Sequence, residues 1–362
     1  MYIKSMSHVK SERSAIRVIY KNIEIYNAVE VIHDEGHEGV RWIRVPLSVK
    51  NELEMGMSEE QASGYTGVEL RFVMKSDKVT IRLAQRNPEE HRLHWAHVFY
   101  GGIQGTHADH CIYRHLQGEI DEIIITKPDN MDTLKRIAIE TKDGWDPEVV
   151  RVIFNAGYYR FLDVIGDVEP PKREQTPKKV LMTYGSSITH GSNSLDSSHA
   201  WASLLAHRLK MDLRNMGFAG SCAMEPAMVD YLATEGEAGK WDIAVCELGI
   251  NVADWEEEKI YPRVRNTIEQ IAGRNKDKKV YIISPFYCMY DYHGQAHTQR
   301  WRHVIEEVVQ ELQFSNVIYI NGLELLGNIS LLSADEVHPS IYGCQTIADR
   351  LTLRLMNDLS EA

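Results

Sequence analysis

Over the first 168 residues apolar positions recur at every second residue. Val68, Leu70, Phe72 and Met74 alternate with polar neighbours, "KSDK" supplies a turn, and Val79, Ile81 and Leu83 alternate again. This predicts a hairpin with one buried face. Val150, Val152 and Phe154 repeat the rhythm, and "GEIDEIIITK" offers a further strand. No long amphipathic helix stands out. Many short strands with turn signals predict an all-β, jelly-roll-like sandwich over residues 1–168. The stretch "GDVEPPKREQTPKK" combines three prolines with dense charge and carries no periodicity. It reads as a linker, with its centre over 169–178.

From residue 179 to residue 362 the rhythm changes. Short apolar runs, "VLMTY", "MDLRNM", "DIAVCEL", "KVYIIS" and "NVIYI", alternate with helical spacing. Trp201, Leu204, Leu205 and Leu209 share one helix face. Ile260, Val264, Ile268 and Ile271 share another, and Trp301, Val304, Ile305, Val308 and Leu312 a third. About five strand–helix units predict an α/β domain, a parallel sheet with helices on both faces. Two domains also suit a chain of 362 residues.

Composition narrows the partners. Apolar content of 43% and charged content of 25% are ordinary for a globular chain. A formal charge of −12 argues against nucleic acid and anionic lipid. No apolar run is long enough to span a membrane. The N-terminus lacks the apolar stretch of a secretory leader, and the five cysteines are scattered and odd in number. A cytoplasmic protein with reduced thiols is therefore expected.

Ligands of such a sheet bind beyond the carboxyl ends of its strands. There the chain places "GSSITHG", "GFAGS", "GIN" and, ahead of the last helix, "DEVHPS". Together they hold what acyl transfer needs: a nucleophile, a base, a group to orient the base, and oxyanion donors. A serine at a strand-to-helix turn presents its hydroxyl at the sheet's end. Asp335 and His338, three apart, allow a carboxylate to hold one imidazole nitrogen while the other takes the serine proton. Asn251 offers an amide, and Gly220 an N–H unhindered by a Cβ.

These blocks resemble those of the SGNH hydrolases, also called GDSL esterases and lipases. Gly185-Ser186-Ser187-Ile188 matches the family's Gly-Asp-Ser block, "NMGFAGS" its glycine block, Gly249-Ile250-Asn251-Val252 its Gly-x-Asn-Asp block, and Asp335-Glu336-Val337-His338 its Asp-x-x-His block. The resemblance covers roughly residues 178–358. It implies a flavodoxin-like three-layer domain in which Ser187 is the nucleophile, His338 the base and Asp335 its partner. The N–H groups of Ser187 and Gly220 and the Asn251 amide would form the oxyanion hole, with no metal or cofactor. Two positions depart from the family pattern. Ser186 replaces an aspartate outside the triad, and Val252 replaces the aspartate after Asn251. Some bacterial carbohydrate esterases of this type carry an N-terminal sandwich. By analogy, the expected substrate is a small-molecule ester, foremost an acetylated sugar. Acyl transfer to another acceptor, thioesterase or lipase action, a catalytically dead binding module and assembly into a homo-oligomer stay open.

Plainer roles compete at several positions. Asp335 could cap the last helix, Gly220 could serve only a turn, and Asn251 could cap a loop. Ser186 and His190 read as structural, Glu225 and Trp201 as capping or packing, and Cys246 as a core residue. The histidines of "HRLHWAH" (His91, His94, His97) and "THADHCIYRH" (His107, His110, His115) raise a zinc question. Their spacings fit no tight ligand signature, so no metal is expected.

Overall fold

The computed structural model describes residues 17–86, 95–106, 114–115, 120–155 and 157–360. In the C-terminal part, five strands form one parallel sheet: β1 (Val180–Gly185), β2 (Asp212–Gly217), β3 (Ile243–Glu247), β4 (Lys279–Ile283) and β5 (Val317–Ile320). Their order is β2-β1-β3-β4-β5, so β2 lies at one edge. Most of these strand residues are buried, because helices cover both faces. One face packs against α3 (Pro226–Glu237), α4 (Glu257–Ile271) and α5 (His297–Leu312). The other packs against α2 (Trp201–Arg208) and α6 (Ile341–Ser360). Side chains alternate accordingly: Met182 and Tyr184 enter the first core, and Leu181 the second. The apolar stripes expected of three helices fall in α2, α4 and α5. A short helix, α1 (Ser187–His190), follows β1 directly.

The N-terminal part is β-rich and antiparallel. One sheet runs Ile19–Tyr20, Ile23–Tyr26, Glu69–Met74, Val149–Phe154, Trp95–Tyr100, Ile103–Gln104, with two short strands added off this path. A second runs Ile120–Thr126, Lys78–Gln85, Tyr159–Ile165. Both send alternate side chains into one core, including Leu70, Phe72 and Val152 from the first and Ile81, Leu83, Ile125 and Phe161 from the second.

Two expectations need correction. Glu69–Met74 and Lys78–Gln85 are not partners in a hairpin. The first pairs with Val149–Phe154 and Ile23–Tyr26, the second with Ile120–Thr126 and Tyr159–Ile165. The chain crosses from one sheet to the other at "KSD". Alternation identifies the buried face but not the neighbouring strand, and both strands still point their apolar sides into the shared core. There is also an eleven-residue helix, Met131–Thr141, in this half. It packs Met131 and Leu134 on the core of this half at helical spacing, buries Ala138, and exposes Ile137 and Ile139. Within the proline-rich segment, Val168–Glu169 pairs with Glu69–Met74, and Gln175 hydrogen-bonds Asp146 through its carbonyl and its side chain. Among the described residues no helix is long and apolar enough to cross a membrane.

The two parts join along β2. Arg71 donates to both oxygens of Asp212 at 2.7 and 2.8 Å, and the guanidinium is 1% exposed. Arg44 Nη2 donates to the carbonyls of Asn215 and Gly217 at 2.9 Å each, and Asn27 to Asn215 at 2.8 Å. Ile43, Val45, Leu53, Met57 and Ala62 belong to the same buried cluster as Met216 and Phe218. Removing one member of a buried ion pair leaves the other without its counter-charge and costs about 3–5 kcal/mol. Arg71→Ala is therefore expected to lower the stability of the whole chain by that amount in urea unfolding, with little dependence on salt. A loss below about 1 kcal/mol, the range of exposed pairs, would show that water reaches Asp212.

Candidate active site

Parallel pairing brings the ends of three neighbouring strands level. Gly185 of β1 lies beside Gly217 of β2, and Tyr184 beside Cys246 of β3. The loops leaving them are "SSITHG", "FAGSC" and "LGIN". Three of the sequence blocks thus meet at one end of the sheet.

Ser186 is the N-cap of α1, and its hydroxyl accepts from the Ile188 N–H at 3.1 Å. Ser187 therefore begins the helix. Its Oγ lies 2.8 Å from His338 Nε2. His338 Nδ1 lies 2.7 Å from Asp335 Oδ2. A carboxylate only accepts, so Nδ1 carries the ring proton and Nε2 is left to accept from the serine hydroxyl. Asp335 does not cap the last helix, which begins at Ile341. Its Oδ1 accepts from the N–H groups of Val337 and His338 and from the Ser333 hydroxyl, and its Oδ2 also accepts from Asn193 Nδ2 at 2.7 Å. Burial pushes this carboxyl up. The His338 and Val337 N–H groups, the His338 ring and the Ser333 hydroxyl outweigh it and hold it well below the usual carboxylate range. It stays charged at any pH where the imidazole works. The site is open: the side chains of His338 and Asp335 are 22% and 40% exposed.

Gly220 has φ +68°, a conformation costly for a residue with a Cβ. Asn251 Oδ1 accepts from the Cys222 N–H at 3.0 Å. Because that partner can only donate, the atom facing it is the oxygen, and the amide NH2 has no protein acceptor among the described residues. The structure thus brings Ser187, His338 and Asp335 into one hydrogen-bonded chain. Gly220 and Asn251 lie on the loops that leave the two strands flanking β1. An imidazole so placed can take a hydroxyl proton.

The other candidates take structural places. Val252 is buried, and its carbonyl accepts from Trp301 Nε1 at 3.1 Å, which fixes the loop without an aspartate there. Trp201 and Cys246 are fully buried in the two cores. Glu225 accepts from the Met55 N–H at 2.5 Å, a contact with the N-terminal part. His190 is half-buried against Tyr65, with ring centroids 5.3 Å apart. Burial, with Arg44 and His338 nearby, pushes its pKa down to about 3, so it is neutral. Of the clustered histidines, His91, His94, His107 and His110 lie outside the described residues. His97 is buried with Asp196 Oδ2 3.9 Å from its Nε2. Among the described residues no group of three or more His, Cys, Asp or Glu is arranged to hold a metal ion.

Two polar residues escaped the sequence reading. Asn193 has no local signal; it reaches Asp335 across 142 positions. Glu247 did have one: it is the lone charge closing the apolar run of β3. Fully buried, its Oε2 accepts from the Ser186 N–H at 2.9 Å, the Ser186 hydroxyl at 2.8 Å and the Thr189 hydroxyl at 3.0 Å. Gly185 leaves room for it: a Cβ there would meet Glu247 Oε2 at 2.6 Å. Oε1 has no partner. Ser186 thus has no carboxylate of its own but is hydrogen-bonded to one.

Residues 178–356 match the model of the GDSL-like lipase/acylhydrolase family. No curated protein sequence matches the chain. Among solved structures, the salicylyl-acyltransferase SsfX3 from a tetracycline biosynthetic pathway is similar across 94% of this chain and 95% of its own, with a TM-score of 0.73 at 17% identity. A family two carbohydrate esterase from Clostridium thermocellum, solved with cellohexaose, is similar over 81% of this chain and 92% of its own, with a TM-score of 0.55 at 16% identity. The acetyl xylan esterase Est2A from Butyrivibrio proteoclasticus covers 81% and 90%, with a TM-score of 0.53 at 12% identity.

Burial pushes the Glu247 pKa up from 4.5 to about 7, against the hydrogen bonds from Ser186 and Thr189. The folded chain then binds this proton more tightly than the unfolded chain. Its stability should fall as pH rises from about 4.5 to about 7 and stay lower above. Glu247→Gln mimics the protonated acid. Relative to wild type it should gain up to about 3 kcal/mol between pH 4.5 and 7, read from urea unfolding across that range. Parallel stability curves for the two proteins would sink this assignment.

Proposed function

Because the chain, through residues 178–356, belongs to the GDSL-like lipase/acylhydrolase family, we propose that Ser187, His338 and Asp335 form a catalytic triad hydrolysing small acyl esters. The observation that carries this is the unbroken chain of contacts, 2.8 Å from Ser187 to His338 and 2.7 Å from His338 to Asp335. Ser187 Oγ attacks the ester carbonyl as its proton passes to His338 Nε2. Asp335 holds the ring in the required tautomer and stabilises the imidazolium. The N–H groups of Ser187 and Gly220 and the Asn251 amide receive the oxyanion. As the tetrahedral adduct collapses, His338 returns the proton to the departing alkoxide, which leaves as alcohol. Water, activated by His338, then releases the carboxylic acid and restores Ser187.

An acetylated carbohydrate is the substrate class we favour. The triad lies at an open end of the sheet, which suits a small acyl group on a bulky alcohol. Two esterases acting on carbohydrates, one named for acetyl xylan, are similar over both parts of the chain. A second reading, transfer of the acyl group to a hydroxyl other than water, is favoured by the likeness to a salicylyl-acyltransferase along nearly the full length. Both readings use the same acyl-enzyme and differ in what accepts the acyl group.

A screen of p-nitrophenyl esters of increasing chain length, beside acetylated sugars, tests the proposal. Acetyl esters should turn over fastest, and added alcohols should divert product if transfer dominates. Ser187→Ala should lower kcat by about 10³-fold or more. Asn251→Ala, which removes one oxyanion donor, should lower it about 10²- to 10³-fold. Undiminished turnover in Ser187→Ala, or failure of a fluorophosphonate to label Ser187 in the wild type, would refute the triad.

A further inference from the structure

The loop after β2, Phe218–Cys222, follows an edge strand. On its outer side stands the helical turn Glu59–Ala62 of the N-terminal part. There Gln61 spans the loop with a single amide. Its Nε2 donates to the Ala219 carbonyl. Its Oε1 accepts from the Ser221 hydroxyl at 2.7 Å and from the Ser58 N–H at 2.9 Å. The Ser58 N–H can only donate and the Ala219 carbonyl can only accept, so the amide has one orientation. The Ser58 hydroxyl in turn accepts from the Gln61 N–H at 3.1 Å, closing a capping box that locks the turn. A Cβ placed on Gly220 would find Gln61 Nε2 nearest, at 3.6 Å.

The Ala219 carbonyl and the Gly220 N–H belong to one planar trans peptide, so they point in opposite directions. A donor that fixes the carbonyl on the outer side fixes the N–H on the inner side. The observed orientation has Gly220 at φ +68°, and a flip would carry that angle into the negative region open to every residue, so local sequence does not prevent it.

We propose that Gln61 is a positioning residue for the oxyanion site: it pins the 219–220 peptide so that the Gly220 N–H faces the nucleophile. The N-terminal part thereby becomes a working piece of the catalytic apparatus rather than a carrier attached to it. The inference rests on the triad reading above.

The test compares the full-length wild type with Gln61→Ala and Gln61→Glu, using p-nitrophenyl acetate as substrate and 1,1,1-trifluoroacetone as inhibitor. The ketone adds to the Ser187 hydroxyl and leaves its oxygen in the oxyanion site, so its affinity reports that site. Gln61→Glu keeps the acceptor for Ser58 and Ser221 but sets a carboxylate oxygen against the Ala219 carbonyl. In both variants kcat should fall about 10- to 100-fold, with KM within about twofold of wild type. The inhibition constant of the ketone should rise by the factor that kcat/KM loses. Should Gln61→Ala fail to fold, Gln61→Glu and Ser221→Ala carry the same reading. Unchanged kcat, or a loss confined to KM, overturns the proposal while leaving the triad intact. A wild type without Ser187-dependent turnover overturns both.

Discussion

A parallel sheet has two edges, and a strand at an edge has backbone groups that its own sheet leaves unpaired. In this protein that strand is β2, and the glycine loop emerges from it. The N-terminal part satisfies the edge with side chains rather than with a further strand. Arg44 and Asn27 donate to the carbonyls of Asn215 and Gly217, and Arg71 grips Asp212 where β2 begins. Arg44 is fully buried. Its hydrogen bonds run to the carbonyls of Gln61, Asn215 and Gly217, and its guanidinium lies 4.5 Å from the centre of the Phe218 ring. Burial pushes its pKa down to about 9, a measure of how costly the charge is there. That cost is tolerable only while carbonyl dipoles surround it. The two parts therefore form a single body, and the shared core of Ile43, Val45, Leu53 and Met57 with Met216 and Phe218 binds them further.

The same edge explains why the site draws on both parts. The loop after β1 is flanked by β2 and β3, so its geometry is set within the sheet through Gly185, Ser186 and Glu247. The loop after β3 is held by Trp301 below and by the Cys222 N–H at its side. The loop after β2 has a sheet neighbour on one side only. Its other side is set by Gln61, and the segment just beyond it by Glu225 accepting from Met55.

Legibility followed the range of the interactions. The parallel sheet was readable because four of its strands are nearly continuous apolar runs and the covering helices carry stripes of period 3.6, whereas β2 holds Asp212, Arg214 and Asn215 among its buried residues. The Ser187, His338 and Asp335 positions were readable because four short blocks each carry their own spacing. In the N-terminal half, alternation revealed which side chains are buried but could not assign Lys78–Gln85 to a different sheet from Glu69–Met74. Burial is a property of one residue, and strand pairing is a property of two distant ones. For the same reason Gln61, 158 positions from Ala219, and Asn193, 142 from Asp335, left no mark. Glu247 was different. A lone carboxyl inside a buried run is costly, and such a residue signals a polar cluster even when its partners are unknown.

The site holds two carboxyl groups whose environments drive them in opposite directions. Asp335 receives five hydrogen bonds and remains an anion, which is what an adjacent imidazolium requires. Glu247 receives three on one oxygen and none on the other, in a fully buried place, and its proton is held to about pH 7. In the proposed reaction the negative charge of the adduct forms beside the N-terminus of α1. A charged Glu247 one residue from Ser187 through Ser186 would oppose it, whereas a protonated one would not. The hydrogen bonds of Ser186 and Thr189 to Glu247 can hold the nucleophile turn in shape in either state. In this chain a serine thus stands where the family block has an aspartate, and it is hydrogen-bonded through its N–H and its hydroxyl to the Glu247 carboxyl of β3.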